Sequence, residues 1–167
     1  VSITKELVSS DLATDSTVTL VYDLTVANAG AGATTYDLDD VLRFGTGVAI
    51  TAGSASVANT TPGDITVDTA WDGGAHPGIV RDQPISGLTT HVYRITVDVT
   101  VDPGTATSGS SDCALSNGEP GTGFLNTATL RVNGEQDQAD ACAPIAIPAL
   151  SKVITNGPTQ AGNGTWS

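Results

Sequence analysis

Two stretches of alternating residues constrain the fold of this chain more than any other feature. In residues 17–26 an apolar side chain stands at every second position, and residues 93–101 repeat the pattern. Alternate side chains of an extended strand point to opposite faces, so each stretch has one apolar and one largely polar face. The apolar rows are Val18, Leu20, Tyr22, Leu24 and Val26 in the first stretch and Tyr93, Ile95, Val97, Val99 and Val101 in the second. Long half-buried strands need a second layer to cover them, which predicts two packed β-sheets.

The composition agrees with an all-β fold. Thr and Val are frequent, and β-branched side chains fit a pleated sheet better than a helix. The 167 residues include 19 Gly and 8 Pro, which supply turns between short strands. We predict an immunoglobulin-like two-sheet β-sandwich with about seven to nine strands and no helix. Its predicted strands cover residues 1–7, 17–26, 48–57, 65–67, 79–80, 93–101, 124–132 and 136–142, with a polar turn at 9–16 and a long loop at 105–123. Residues 36–44 are predicted as either a short strand or an irregular turn that crosses the end of the sandwich.

The charge balance narrows the classes of partner. The chain has 18 acidic and 6 basic residues, which gives a net charge of −12. Such a field repels phosphate backbones, so nucleic-acid binding is not expected, nor is attraction to an anionic membrane. No apolar run approaches the roughly 20 residues that span a bilayer, and no N-terminal signal pattern occurs, so we expect no membrane insertion in this segment.

Cys113 and Cys142 lie on either side of the last clear strand. In a Thr-, Gly- and Asp-rich β-chain of extracellular character we expect a disulfide between them, and two free thiols are the alternative. Neither cysteine belongs to a CxxC motif, and their spacing does not suit a zinc site. The pair therefore predicts a structural bridge that ties down the long loop, in an extracellular or cell-surface protein.

A short internal echo divides the chain. Residues 150–156 resemble residues 3–9 at a constant offset of 147 positions, after a linker that contains Pro144 and Pro148. The matched pairs are Leu150 with Ile3, Lys152 with Lys5 and Ile154 with Leu7. An echo of seven residues also arises by chance, but its place after a proline-containing linker favours a repeat. We predict a sandwich over residues 1–146, and a linker and first strand of a following repeat over residues 147–167, with Trp166 in the core of that repeat.

Several short segments, in this order, resemble the bacterial surface-repeat family DUF11. They are Ile3-Thr4-Lys5, residues 18–28, Ile85-Ser86-Gly87-Leu88, residues 93–97 and Asn126-Thr127-Ala128-Thr129-Leu130. The resemblance covers about residues 1–146 and recurs at 149–167. It implies Ig-like β-sandwich modules that occur in tandem in large cell-wall or secreted proteins, and it brings no catalytic residues. The long loop with Cys113, and its bridge to Cys142, depart from the family pattern.

The sequence offers little chemistry, so we predict neither an enzyme nor a cofactor. The two histidines, His76 and His91, have no accompanying nucleophile motif. Two acidic groups would suit calcium, which prefers oxygen ligands, but they lack the form of a dedicated calcium loop. They are Asp37, Asp39 and Asp40, and Asp64, Asp68 and Asp72. We therefore assign no metal ligands and keep calcium as an alternative.

These features predict a structural repeat of an extracellular bacterial stalk, adhesin or filament. Its partners would be neighbouring copies of the same module, joined covalently in tandem. A second hypothesis is a pilin-like subunit that polymerises by donating its C-terminal strand to the next copy, as in β-augmentation. A third is a ligand-binding adhesin domain, for which Trp71 in a Gly-rich loop is the candidate aromatic residue.

Overall fold

Nine β-strands form the framework of the protein in a computed structural model, which describes residues 1–12, 17–63, 65–116 and 118–146. No helix occurs among these residues. The strands are β1 (Ser2–Leu12), β2 (Thr17–Asn28), β3 (Thr34–Leu42), β4 (Val48–Ile50), β5 (Ser56–Asn59), β6 (Gly78–Ile85), β7 (Thr89–Val101), β8 (Asn126–Val132) and β9 (Glu135–Ala141).

The strands form two antiparallel sheets. The first has the order β1-β2-β7-β4, with β5 also paired to β7, and the second has the order β6-β3-β8-β9. The predicted all-β, two-sheet sandwich is therefore confirmed. Its centre is the pairing of β2 with β7, which runs without interruption from Thr17 opposite Thr100 to Asn28 opposite Thr89.

The core follows from the alternation of the long strands. Every second residue of β2 is buried from Val18 to Asn28, and the inward positions of β7 match it. The second sheet covers this layer with its own inward rows. The largest fully buried side chains are Tyr22, Tyr36, Tyr93, Leu20, Leu24, Leu38, Ile79, Ile85, Ile95, Leu130, Val26 and Val97.

Three strand predictions need correction. The polar segment from residue 9 was predicted as a turn, but β1 continues to Leu12 because its outer face is solvent-exposed and its backbone pairs with β2 across a bulge between Leu7 and Ser9. Residues 65–67 form no strand, since they pack on the core without a neighbouring ladder. The stretch 48–57 contains two separate short strands, β4 and β5, that both pair with β7.

The last hairpin has the turn that its sequence predicts. Asn133 and Gly134, with φ of 52° and 85°, connect β8 to β9. Two successive positive φ values suit a tight turn that matches the strand twist, which Asn-Gly adopts readily. The predicted second-repeat strand with Leu150, Lys152, Ile154 and Trp166 lies outside the described residues, and so does Asp64 of the calcium alternative. Within the described ranges, no helix is long and apolar enough to cross a membrane.

Candidate functional site

A disulfide between Cys113 and Cys142 ties the loop between β7 and β8 to the end of β9, with 5.9 Å between the two Cα atoms. Backbone hydrogen bonds reinforce the junction: Phe124 N donates to Ala143 O, and Ile145 N donates to Ser111 O, both at 2.9 Å. The loop, although irregular and long, is therefore fixed to the sandwich beside the end of β9.

Gly123 sits at the closest approach of this junction. Its φ is +47°, and a Cβ there would lie 2.6 Å from Ala143 O and about 3 Å from both cysteine sulfurs. Only glycine combines this backbone conformation with that lack of space. The sequence around the disulfide is thus built for a close crossing of two chain segments.

A buried ion pair joins the two sheets at one side of the sandwich. Lys5 of β1 forms a salt bridge through Nζ with Asp40 Oδ2 of β3, and both side chains have no exposed surface. The Lys5 side chain continues the inward row of its strand, between Ile3 and Leu7. Its backbone is partly accessible because β1 is an edge strand, while its ammonium group also lies 5.6 Å from the Tyr22 ring centre.

Burial dominates the titration of both groups. Burial raises the pKa of Asp40 to about 6, against the opposing effects of Lys5 and Asn126. Burial also lowers the pKa of Lys5, against the opposing effects of Asp40 and, more weakly, Asp140. Both shifts favour the uncharged forms of the two groups.

Asn126 is the third polar member of this cluster. It begins β8, is fully buried, and stands opposite Leu42, one diagonal step from Asp40 on the same face. Its carboxamide lies close enough to lower the pKa of Asp40. Nevertheless, Asn126 Nδ2, Asn126 Oδ1 and Asp40 Oδ1 are buried without a hydrogen-bond partner in the described structure. The side chains of Asn126 and Asp40 are therefore neighbours, but their unpaired atoms do not have hydrogen-bond geometry.

Aromatic side chains enclose this cluster. Trp71 is 4% exposed, and its Nε1 donates to Asp40 O at 3.1 Å. Tyr22 Oη donates to Phe124 O at 2.7 Å in the buried layer beside it. The ring of Trp71 is therefore part of the core, and it is not the exposed binding aromatic that the adhesin hypothesis requires.

The acidic groups weighed for calcium are engaged separately. Asp39 pairs with Arg81 and Arg131, Asp37 accepts a hydrogen bond from Asp82 N, and Asp40 pairs with Lys5. Across the described residues, no group of three or more His, Cys, Asp or Glu side chains could hold a metal ion. The two histidines also lie apart: His76 contacts Asp72, and His91 Nδ1 lies 2.8 Å from Tyr36 Oη.

The Asp72 carboxylate accepts hydrogen bonds that hold its exposed loop, and we expect protonation of this carboxylate in acid to weaken them. Its Oδ1 accepts from Gly74 N at 2.8 Å and from His76 N at 2.9 Å, which lowers its pKa to about 2. Because the folded-state pKa lies below the usual 3.8, the stabilisation is complete above pH 3.8 and is lost as the pH falls through about 2. NMR titration of the Asp72 carboxyl should give a midpoint near 2, and a midpoint near 3.8 would contradict the assignment. In Asp72→Asn, the Gly74 amide signal should lose this acid transition.

Comparison with known proteins gives a likeness of fold. No protein-family model and no curated protein matches the sequence. The full-length pilus protein RrgB of Streptococcus pneumoniae is similar at 12% identity over 79% of this chain and 22% of that chain, with a TM-score of 0.38.

Two further solved structures show a similar level of likeness. A GH20 exo-β-N-acetylglucosaminidase of Vibrio harveyi matches at 12% identity over 95% of this chain and 20% of that chain, with a TM-score of 0.34. A FixG-related protein of Vibrio parahaemolyticus matches at 11% identity over 83% and 89%, also at 0.34. This chain thus spans about a fifth of the pilus protein and of the glucosaminidase. At these identities and TM-scores, the likeness carries no assignment of function.

Proposed function

We propose that this chain is a non-catalytic structural module of an extracellular bacterial stalk, adhesin or filament, repeated in tandem as the resemblance to DUF11 implies. The two-sheet sandwich supplies strand ladders that can carry load along their length. The disulfide fixes the long loop, and the net charge of −12 disfavours lateral aggregation of copies.

The match between the echo and the inward row of β1 carries this proposal. Ile3, Lys5 and Leu7 are the positions at which β1 turns toward the core, and Lys5 meets a buried acid there. The echo preserves the apolar, lysine, apolar order at those three positions, as Leu150, Lys152 and Ile154. A match that arose by chance would not be expected to place Lys152 at the position of Lys5, whose side chain pairs with the buried Asp40. The echo is therefore what the first strand of another sandwich would contain.

Strand exchange between separate subunits is the second candidate. It is favoured by the place of β1, which among the described strands pairs with β2 alone and forms one edge of its sheet. A segment with the same inward row could replace β1 of a neighbouring copy by pairing with that copy's β2. The tail of each subunit would then complete the next one.

Electron microscopy of the native surface material, with denaturing mass analysis of the same sample, tests the proposal. We expect filaments or stalks with an axial repeat of about 40–50 Å, the length of a strand of some ten residues with its loops and linker. One long polypeptide would establish tandem repeats, whereas short subunits of about one module each would exclude them and leave strand exchange as the means of assembly. Monodisperse single modules in native material would contradict both.

A pair of variants in the tail separates exchange from other association. In an extended donated strand, residues 151 and 154 face opposite sides. Ile154→Asp should therefore abolish assembly by exchange, whereas Ser151→Asp, the matched control, should assemble like the parent chain. Equal assembly of the two variants, measured by sedimentation, would exclude the donated strand.

A further inference from the structure

The cluster of Lys5, Asp40 and Asn126 presents a problem that noncovalent packing leaves unsolved. Three of its polar atoms, Asp40 Oδ1 and both side-chain heteroatoms of Asn126, are buried without hydrogen-bond partners in the described structure. Buried polar groups in proteins are nearly always paired, and leaving them unpaired is costly. A site enclosed by Trp71 and Tyr22, with three such atoms beside a buried ion pair, calls for another explanation.

The three side chains have complementary reactivities. A neutral lysine amine is a nucleophile, a carboxamide carbon is an electrophile, and a carboxyl group between them can move protons. Lys5 Nζ contacts the Asp40 carboxyl, and the Asn126 carboxamide is its neighbour from the adjacent strand β8. One carboxyl group thus stands next to both reacting groups, in a site from which water is excluded.

We propose that Lys5 and Asn126 join in an intramolecular isopeptide bond, with Asp40 as the proton-transfer group. The Lys5 Nζ lone pair attacks Asn126 Cγ and forms a C–N bond, while the Asp40 carboxyl donates its proton toward Oδ1. The resulting Asp40 carboxylate takes a proton from Nζ and delivers it to Nδ2. The Cγ–Nδ2 bond then breaks and ammonia leaves. As the amide carbonyl forms, the proton on Oδ1 returns to the Asp40 carboxylate, which leaves Asp40 as a neutral carboxyl group. One amine and one carboxamide give one secondary amide and one ammonia, without an oxidant or cofactor.

The protonation states required for this step are those that burial favours. Burial lowers the pKa of Lys5 and raises that of Asp40, so the form with a neutral amine and a protonated carboxyl is accessible in this site. Exclusion of water also protects the carboxamide from competing hydrolysis.

The product removes the unpaired groups. Nδ2 has departed, and the amide carbonyl that keeps Oδ1 can accept a hydrogen bond from the neutral Asp40 carboxyl. The amide N–H can donate to the other Asp40 oxygen, and no buried charge remains. Because Lys5 lies in the first strand and Asn126 in the eighth, the bond would also connect the two sheets covalently.

Intact mass spectrometry of the unmodified full chain is the first test. We expect a mass about 17 Da, one ammonia, below that of the reduced sequence after the disulfide has been reduced. A mass equal to that of the reduced sequence overturns the proposal. Succinimide formation at Asn133-Gly134 would give the same loss, so the position of the change must also be mapped.

Tryptic mapping locates the bond. After reduction and alkylation, a modified Lys5 resists cleavage, so residues 1–43 should appear joined to residues 95–131. Free residues 1–5, or an ammonia loss confined to another peptide, overturn the proposal. The result does not depend on assembly, so it is distinguishable from the proposed stalk function.

Variants test the role of Asp40. Asp40→Asn keeps the side-chain shape without the titratable proton, and we expect no ammonia loss and release of residues 1–5. Asn126→Ala should also retain the full mass. The control Asp23→Asn removes a half-buried carboxylate that pairs with Arg94 on the outer face of β2, and it should keep the bond. Complete bond formation in Asp40→Asn would remove Asp40 from the mechanism, and the wild-type mass decides the bond itself even if a variant does not fold.

Discussion

Reducing the disulfide between Cys113 and Cys142 is expected to lower the free energy of unfolding by about 3–4 kcal/mol. The bond closes a chain segment with a sequence separation of 29. Without it, the unfolded chain regains the conformations that the closed loop excludes, an entropy worth about 3.6 kcal/mol in the chain-entropy model. The fluorescence of Trp71, which is buried, should report urea unfolding with and without reductant.

A double variant, Cys113→Ser with Cys142→Ser, is the control for this prediction. Its unfolding midpoint should match that of the reduced parent and should not respond to reductant. An oxidised parent no more stable than the double variant would contradict the role given to the disulfide, and would mean that the backbone hydrogen bonds at Phe124 and Ile145 hold the loop unaided.

Truncating Leu38 to alanine should be comparably damaging. Leu38 lies in β3, at the centre of the second sheet, and has no exposed surface. Leu38→Ala removes buried methyl groups and leaves a cavity, so we expect the free energy of unfolding to fall by about 2–5 kcal/mol. Thermal and urea unfolding measure this loss directly.

Leu88 provides a matched control because the same change occurs there on the surface. It is 76% exposed, and Leu88→Ala should change stability by less than about 0.5 kcal/mol. Equal losses in the two variants would mean that Leu38 is not in a packed core.

The sandwich could be predicted because its two longest strands, β2 and β7, alternate apolar and polar residues along the sequence. The strict alternation of β2 and β7 depends on neighbouring residues, so it is visible in the sequence. The extension of β1 to Leu12 was missed since its outer residues are polar and only pairing with β2 makes them a strand. The strand prediction for residues 65–67 was wrong for the opposite reason: their local pattern suits a strand, but no neighbouring strand of the described structure pairs with them.

The polar cluster in the core was beyond sequence reasoning. Lys5 was visible as a charged residue in an inward row, which is the one signal that could have found it. Asp40, however, is one of three nearby aspartates that the sequence does not distinguish, and Asn126 is the first residue of a strand with no unusual pattern. Their meeting depends on the register of β3 against β8 and on the packing of one sheet over the other, which no local pattern specifies.

The pairing of β2 with β7 also bears on the kinetics of folding. It joins residues as far apart as Thr17 and Thr100, so the first sheet cannot close until most of the chain is available. Loop closure over such separations is slow, and sandwiches with this topology typically fold in milliseconds to seconds. During synthesis, β2 therefore remains without its central partner until β7 has been made, and the first sheet cannot form before then.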